Sequence, residues 1–76
     1  MPRPLTLLAF EDRYTRHTGQ KEEDIRREFG IHPARYYQLL GRAIDTREAL
    51  EAYPMLVNRL QRMREQGRAA RGSAFR

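Results

Sequence analysis

Between Phe29 and Ala34 the chain reads FGIHPA, and its two backbone breakers, Gly30 and Pro33, leave room for little except one helix ending and another beginning across a three-residue turn. Glycine closes a helix in the left-handed conformation at no steric cost, and proline is pre-set for the first position of the next helix. The flanking residues supply the apolar pattern that such a corner needs. With Gly30 at the turn, Ile25, Phe29, Ile31, Tyr36 and Leu39 fall where two crossing helices bury side chains together. The stretch from Lys21 to Gly41 therefore predicts a helix-turn-helix, with the other segments holding it in place. One position departs from the usual pattern. Four residues before the turn glycine, where a small side chain lets the helices approach, stands Arg26, which must reach outward or else leave the two helices crossing farther apart than usual.

A chain of 76 residues makes one domain at most. A core this small typically supplies only about 3 to 5 kcal/mol, so close helix packing or a partner chain is needed. The absence of cysteine excludes disulfides, and His17 and His32, fifteen positions apart, are a poor ligand pair, so no metal is expected. The apolar run near the start, Leu7 to Phe10, is far too short to span a bilayer or to form a signal-peptide core. A cytoplasmic protein is expected.

The net charge of +5 is unevenly distributed. Residues 1–58 carry nine basic and nine acidic side chains, whereas from Arg59 onward six arginines face the single Glu65. The whole excess thus lies in the last helix and tail, an end suited to a polyanion. Lys21 is the one lysine beside fourteen arginines, and guanidinium is the better bidentate partner for phosphate and guanine. The same charge also reads as a solvated face that keeps the chain soluble, but a basic arm with no packing role favours contact with nucleic acid.

Taken in order, Pro2 and Pro4 fix an extended start, and Thr6 is placed to cap a first helix that Gly19 closes. Leu7, Phe10, Tyr14 and His17 recur at helical spacing as its inner stripe, with Glu11, Asp12, Arg13 and Arg16 outward. His17 reads as a packed histidine rather than a catalytic one. Glu22, Glu23 and Asp24 open the second helix, where carboxylates complement the positive end of the helix dipole and no nucleophile completes a site. Beyond Ile44, Asp45 and Glu48 have the spacing of a capping box for a short helix, Thr46 to Ala52, with Ala49 and Leu50 inward. Pro54 marks a bend. Met55 to Gln66 then forms the last helix on a stripe of Leu56, Leu60 and Met63, closed by Gly67.

At about 100° per residue, Tyr36, Leu39, Leu40 and Ala43 of the third helix share one sector, and Ala34, Gln38 and Gly41 lie opposite. That outward face is small and polar, flanked by Arg35 and Arg42 on one side and Tyr37 on the other. A helix with so little bulk at its centre can lie deep in a major groove while longer side chains reach base edges and phosphates. Gln38 is the natural reader of adenine, and Arg35 or Arg42 suits guanine or phosphate. Gly41 has a plainer reading as well, a weak point in an ordinary surface helix.

The segments FGIHPARYYQLLGRAID, LLAFEDRYTRHTGQKEEDIRREFG and EALEAYPMLVNRLQRMR resemble a family of small, uncharacterised actinobacterial proteins with an aromatic first helix, an RYYQ helix and a last helix that starts Pro-Met-Leu-Val. The likeness covers roughly residues 7 to 65. His32 stands where such families usually have a capping serine, and Tyr14 and Thr15 where they often have paired tryptophans. What the resemblance implies is a helix-turn-helix fold and DNA binding, with no established ligand.

The sequence thus predicts an all-α domain of four to five short helices over residues 6–67, followed by a disordered basic tail at 68–76. The expected partner is double-stranded DNA, contacted by Lys21, His32, Ala34, Arg35, Tyr37, Gln38, Arg42, Arg59, Arg62, Arg68 and Arg71. The expected role is a small transcriptional regulator or nucleoid-associated factor, acting as a homodimer or through cooperative assembly on DNA because one recognition helix discriminates weakly. No cofactor, small-molecule ligand or membrane is expected. Catalysis is not expected either: the one serine lies in the tail, and there is no glycine-rich phosphate loop. The rival reading is an adaptor for a subunit of the transcription machinery, using Tyr14, Tyr37 and Tyr53 as an aromatic face.

Overall fold

The structure is a computed structural model that describes residues 2–14 and 18–74, with side chains described as far as Gly67. Its described residues form five helices and no strand: α1 (Pro4–Glu11), α2 (Gly19–Phe29), α3 (Pro33–Ala43), α4 (Arg47–Ala52) and α5 (Pro54–Ala74). The all-α prediction holds, although α5, at 21 residues, is far from short.

The corner forms as the sequence predicts. Gly30 ends α2 at φ 66°, ψ 25°, its N–H donating to the Arg26 carbonyl, and Pro33 opens α3. His32 caps α3 as a serine would, its Nδ1 accepting from the Ala34 N–H at 3.1 Å. A Cβ built on Gly30 would meet no atom within 4 Å, so the requirement for glycine is purely one of backbone conformation. Gly30→Ala should therefore cost about 1 to 2 kcal/mol. The check is a urea melt, in which the midpoint falls while the slope stays fixed; an unchanged midpoint would refute it.

Several helix boundaries differ from expectation, most of them because another cap prevails. α1 begins at Pro4 with Arg3 as its cap, not Thr6, since proline at the first helical position needs no N–H. It also ends early, at Glu11, and Gly19 opens α2 instead of closing α1, because the Thr18 hydroxyl accepts from the Lys21 N–H at 3.2 Å. His17, expected on the first stripe, and Arg16, expected outward, lie outside the described residues. Thr46, not Asp45, caps α4, accepting from Ala49 N–H at 3.2 Å. Finally, α5 passes through Gly67 to Ala74, so residues 68–74 of the expected disordered tail are helical. One glycine costs about 1 kcal/mol against alanine, and the Arg-Ala-Ala-Arg run that follows it favours continuation.

The core consists of Leu7, Leu8 and Phe10 from α1, Ile25 from α2, Tyr36, Leu39, Leu40 and Ala43 from α3, and Ile44, Ala49, Leu56 and Val57 beyond them. α1 lies across α3 and α4, and Phe10 meets the rings of Phe29 and Tyr36 edge-on at 5.2 and 5.4 Å. Phe29 and Ile31 pack half-buried against this core, as the corner requires. Leu50 does not turn inward; it is 45% exposed. α5 is tied down by polar groups as well as by Val57. Gln61 Nε2 donates to the Ile44 carbonyl at 3.2 Å, and Arg64 Nη1 donates to the Gly41 carbonyl at 3.4 Å while its guanidinium pairs with Asp45 at 2.9 Å. These bonds satisfy carbonyls at the C-terminal end of α3 that no intrahelical N–H can reach.

Candidate nucleic-acid interface

What orients α3 is a buried polar knot. Glu11, expected to face outward, turns into the junction of α1, α2 and α3. There Lys21 Nζ donates to its carboxylate at 2.9 Å and the Tyr36 hydroxyl donates to Oε1 at 2.7 Å. Lys21 is 3% exposed, with its ammonium 5.1 Å from the centre of the Tyr37 ring. Burial, and then the Glu11 charge, push the Tyr36 hydroxyl far above its ordinary pKa, so it remains a donor. Lys21 is therefore corrected from a DNA contact to a core cation, since an ammonium committed to a buried carboxylate has no path to a phosphate. Tyr37 is half-buried beside it; burial raises its hydroxyl pKa, against a smaller opposing pull from Lys21.

With Tyr36 pinned inward, the opposite side of α3 faces solvent. Ala34, Gln38 and Arg42 are exposed, and Arg35 is half-exposed. The spacing of Arg35, Gln38 and Arg42 puts them in one row along the helix. Arg35 Nη1 donates to Gln38 Oε1 at 3.3 Å, so the first two act as a pair. His32 stands exposed at the N-terminal end of this row, its Nδ1 already committed to the cap. Gly41, the third member of the low-bulk face, is partly covered because Arg64 reaches its carbonyl.

The arginines of α5 form a different surface. Val57, Gln61 and Arg64 mark the inner side of that helix, and Arg59 and Arg62, both exposed, fall on the opposite side. The structure thus brings Ala34, Arg35, Gln38 and Arg42 onto one exposed face of α3, with His32 exposed at its N-terminal cap, and puts Arg59 and Arg62 on the outer side of α5. The side chains of Arg68 and Arg71 lie outside the described ones. Arg64, which the sequence offers as one more cation in a basic run, is a structural anchor paired with Asp45 that raises its pKa. Its spacing from Val57 and Gln61 is the signal that it lies on the packed side of its helix.

A shallow notch of about 140 Å³ opens beside Arg42, walled by Pro2, Pro4, Leu7, Leu39, Ala43 and Thr46. Among the described residues no group of three or more histidines and carboxylates is placed to hold a metal ion, and no helix is long and apolar enough to cross a membrane. No curated protein and no solved structure matches the chain. A family model for a domain described as a protein of unknown function, DUF3263, matches residues 2–72, nearly the whole length, and the chain belongs to that family.

Proposed function

We propose that the chain binds double-stranded DNA with α3 in the major groove, as a small transcriptional regulator or nucleoid-associated factor in the cytoplasm. The observation that carries this reading is the row of Arg35, Gln38 and Arg42 beside Ala34 on an exposed face of little bulk, behind which Tyr36 is locked to Glu11. A helix so held can enter a groove about 12 Å wide without a central side chain to keep it out. The α2–turn–α3 corner then serves as a helix-turn-helix, with α2 crossing the backbone. Specific binding would use two copies, on DNA or in solution, because a lone reading helix discriminates weakly among competing genomic sites.

The test is fluorescence anisotropy of the full chain on labelled duplexes between about 50 and 200 mM salt. Log affinity should fall linearly with log salt, with a slope of about −0.9 for each phosphate engaged. Retention that does not change with salt, or no binding at low salt, would turn the reading toward the adaptor. One observation favours that rival: Met55 and Met63 on α5 are 85% and 59% exposed, the kind of flexible apolar surface a protein partner covers. The tyrosines do not favour it, since Tyr14, Tyr37 and Tyr53 are half-buried against the core and form no open aromatic face.

A further inference from the structure

A glutamine that reads adenine must present both halves of its carboxamide, the oxygen to the N6 amino group and the NH₂ to N7. In Gln38 the oxygen is partly committed. Its Oε1 accepts from Arg35 Nη1 at 3.3 Å, which takes one of its two acceptor positions and sets the guanidinium charge beside the other, where it disfavours a second N–H donor. What Gln38 offers unhindered is its NH₂, beside the remaining N–H groups of Arg35. The rest of the row has the same polarity. Arg42 has donors alone. His32 accepts the Ala34 N–H at Nδ1, so in the neutral ring the proton sits on Nε2, a donor facing outward. α3 itself, PARYYQLLGRA, contains no carboxylate. Lys21 and Glu11, which would have added a cation and an acceptor, are locked together in the core.

We propose that Arg35 and Gln38 form one donor-only reading unit on α3 that selects guanine over adenine in the major groove, the Arg35 side chain setting the base preference of Gln38. The inference rests on the DNA-binding reading above and sharpens it. Guanine is the base that shows two acceptors, O6 and N7, on its major-groove edge, whereas adenine and cytosine each present an amino donor that this unit would meet donor to donor. Ala34, next to Arg35, leaves room for the base edge to approach. Phosphate oxygens are acceptors too, so the same donors have one competing destination, and the experiment separates the two.

The experiment is selection from a random duplex library by the full-length protein, the Arg35→Met variant and the Gln38→Met variant. Circular dichroism confirms that both variants fold, as expected for side chains outside the core. The wild type should enrich guanine at one position per half-site. Arg35→Met, which keeps the side-chain stem and releases Gln38 Oε1, should convert that position to adenine, with the guanine-to-adenine preference moving about tenfold or more. Gln38→Met should lower the guanine preference without creating one for adenine. The same base preferences in wild type and Arg35→Met, or adenine already chosen by the wild type, would overturn the paired unit and leave DNA binding standing. Tight binding with no base preference would place the donors on phosphates and overturn it likewise. Failure to retain any duplex would overturn the DNA-binding reading itself, and the guanine preference with it.

Discussion

Glu11→Ala should destabilise the chain by about 3 to 5 kcal/mol, because it leaves the Lys21 ammonium buried without its counter-charge. Lys21 is 3% exposed, and beside the 2.9 Å partner that the substitution removes, its ammonium lies 5.1 and 5.8 Å from the centres of the Tyr37 and Tyr14 rings. Cation–π contact recovers only part of this, about 2 kcal/mol in a desolvated site. The Tyr36 hydroxyl, which donates to Glu11 at 2.7 Å, loses its acceptor in the same step. A domain this small has about that much stability in total, so the variant should be largely unfolded at 25 °C by far-ultraviolet circular dichroism. Removing both charges should behave differently. Glu11→Leu with Lys21→Met exchanges the ion pair for apolar volume, and buried pairs replaced in this way are often neutral or stabilising. The Tyr36 hydroxyl still lacks its acceptor there, a cost of about 1 to 3 kcal/mol, so the double variant should melt near the wild type in urea and well above Glu11→Ala. A Glu11→Ala protein with a wild-type midpoint would mean that Lys21 swings out to water, and the knot would then not be what orients α3.

That knot is also where the reach of the sequence ends. The corner is legible because Gly30 and Pro33 act locally: one needs φ of 66°, the other supplies the first position of a helix, and neither depends on distant residues. The buried face of α3 is legible for a similar reason, since Tyr36, Leu39, Leu40 and Ala43 are all apolar at one helical phase. Glu11 and Lys21 defeat the same rule because their charge argues for solvent while their phase argues for the core. Lys21 is one turn before Ile25 and two before Phe29, and Glu11 one turn after Leu7. Two opposite charges, each in phase with its helix's apolar stripe, are the trace that such a pair leaves in a sequence. The helix ends are less legible, since Thr18 and Thr46 stand directly beside Gly19 and Asp45 as rival boundary residues and prevail by hydrogen bonds to N–H groups three residues on. For the site, spacing along α3 is enough to place Ala34, Gln38 and Arg42 on one exposed face. It is not enough to relate α3 to α5, because Gln61 and Arg64 fix that relation through carbonyls far away in the chain.

Removing residues 68–76 should weaken binding to every duplex alike and leave the choice of site unchanged. The segment carries three arginines, Arg68, Arg71 and Arg76, and no acidic residue. Every phosphate that the truncated chain no longer neutralises flattens the plot of log affinity against log salt by about 0.9, so full engagement of all three arginines would lower the slope by about 2.7. Stability should be nearly untouched. Among the described side chains of α5 the buried ones end at Val57, with Leu60 packed against the core, and the bonds that dock the helix come from Gln61 and Arg64, all upstream of the cut. A second pair of arginines bears on the same slope, because Arg59 and Arg62 are exposed on the outer side of α5. If α5 follows the DNA backbone, substituting these two with glutamine should flatten the slope further by about 1.8. Neither change should alter the sequences recovered from a random library, since phosphate oxygens carry no base information. An unchanged salt slope in the truncated chain would remove the tail from the interface and leave the α3 face as the whole of it.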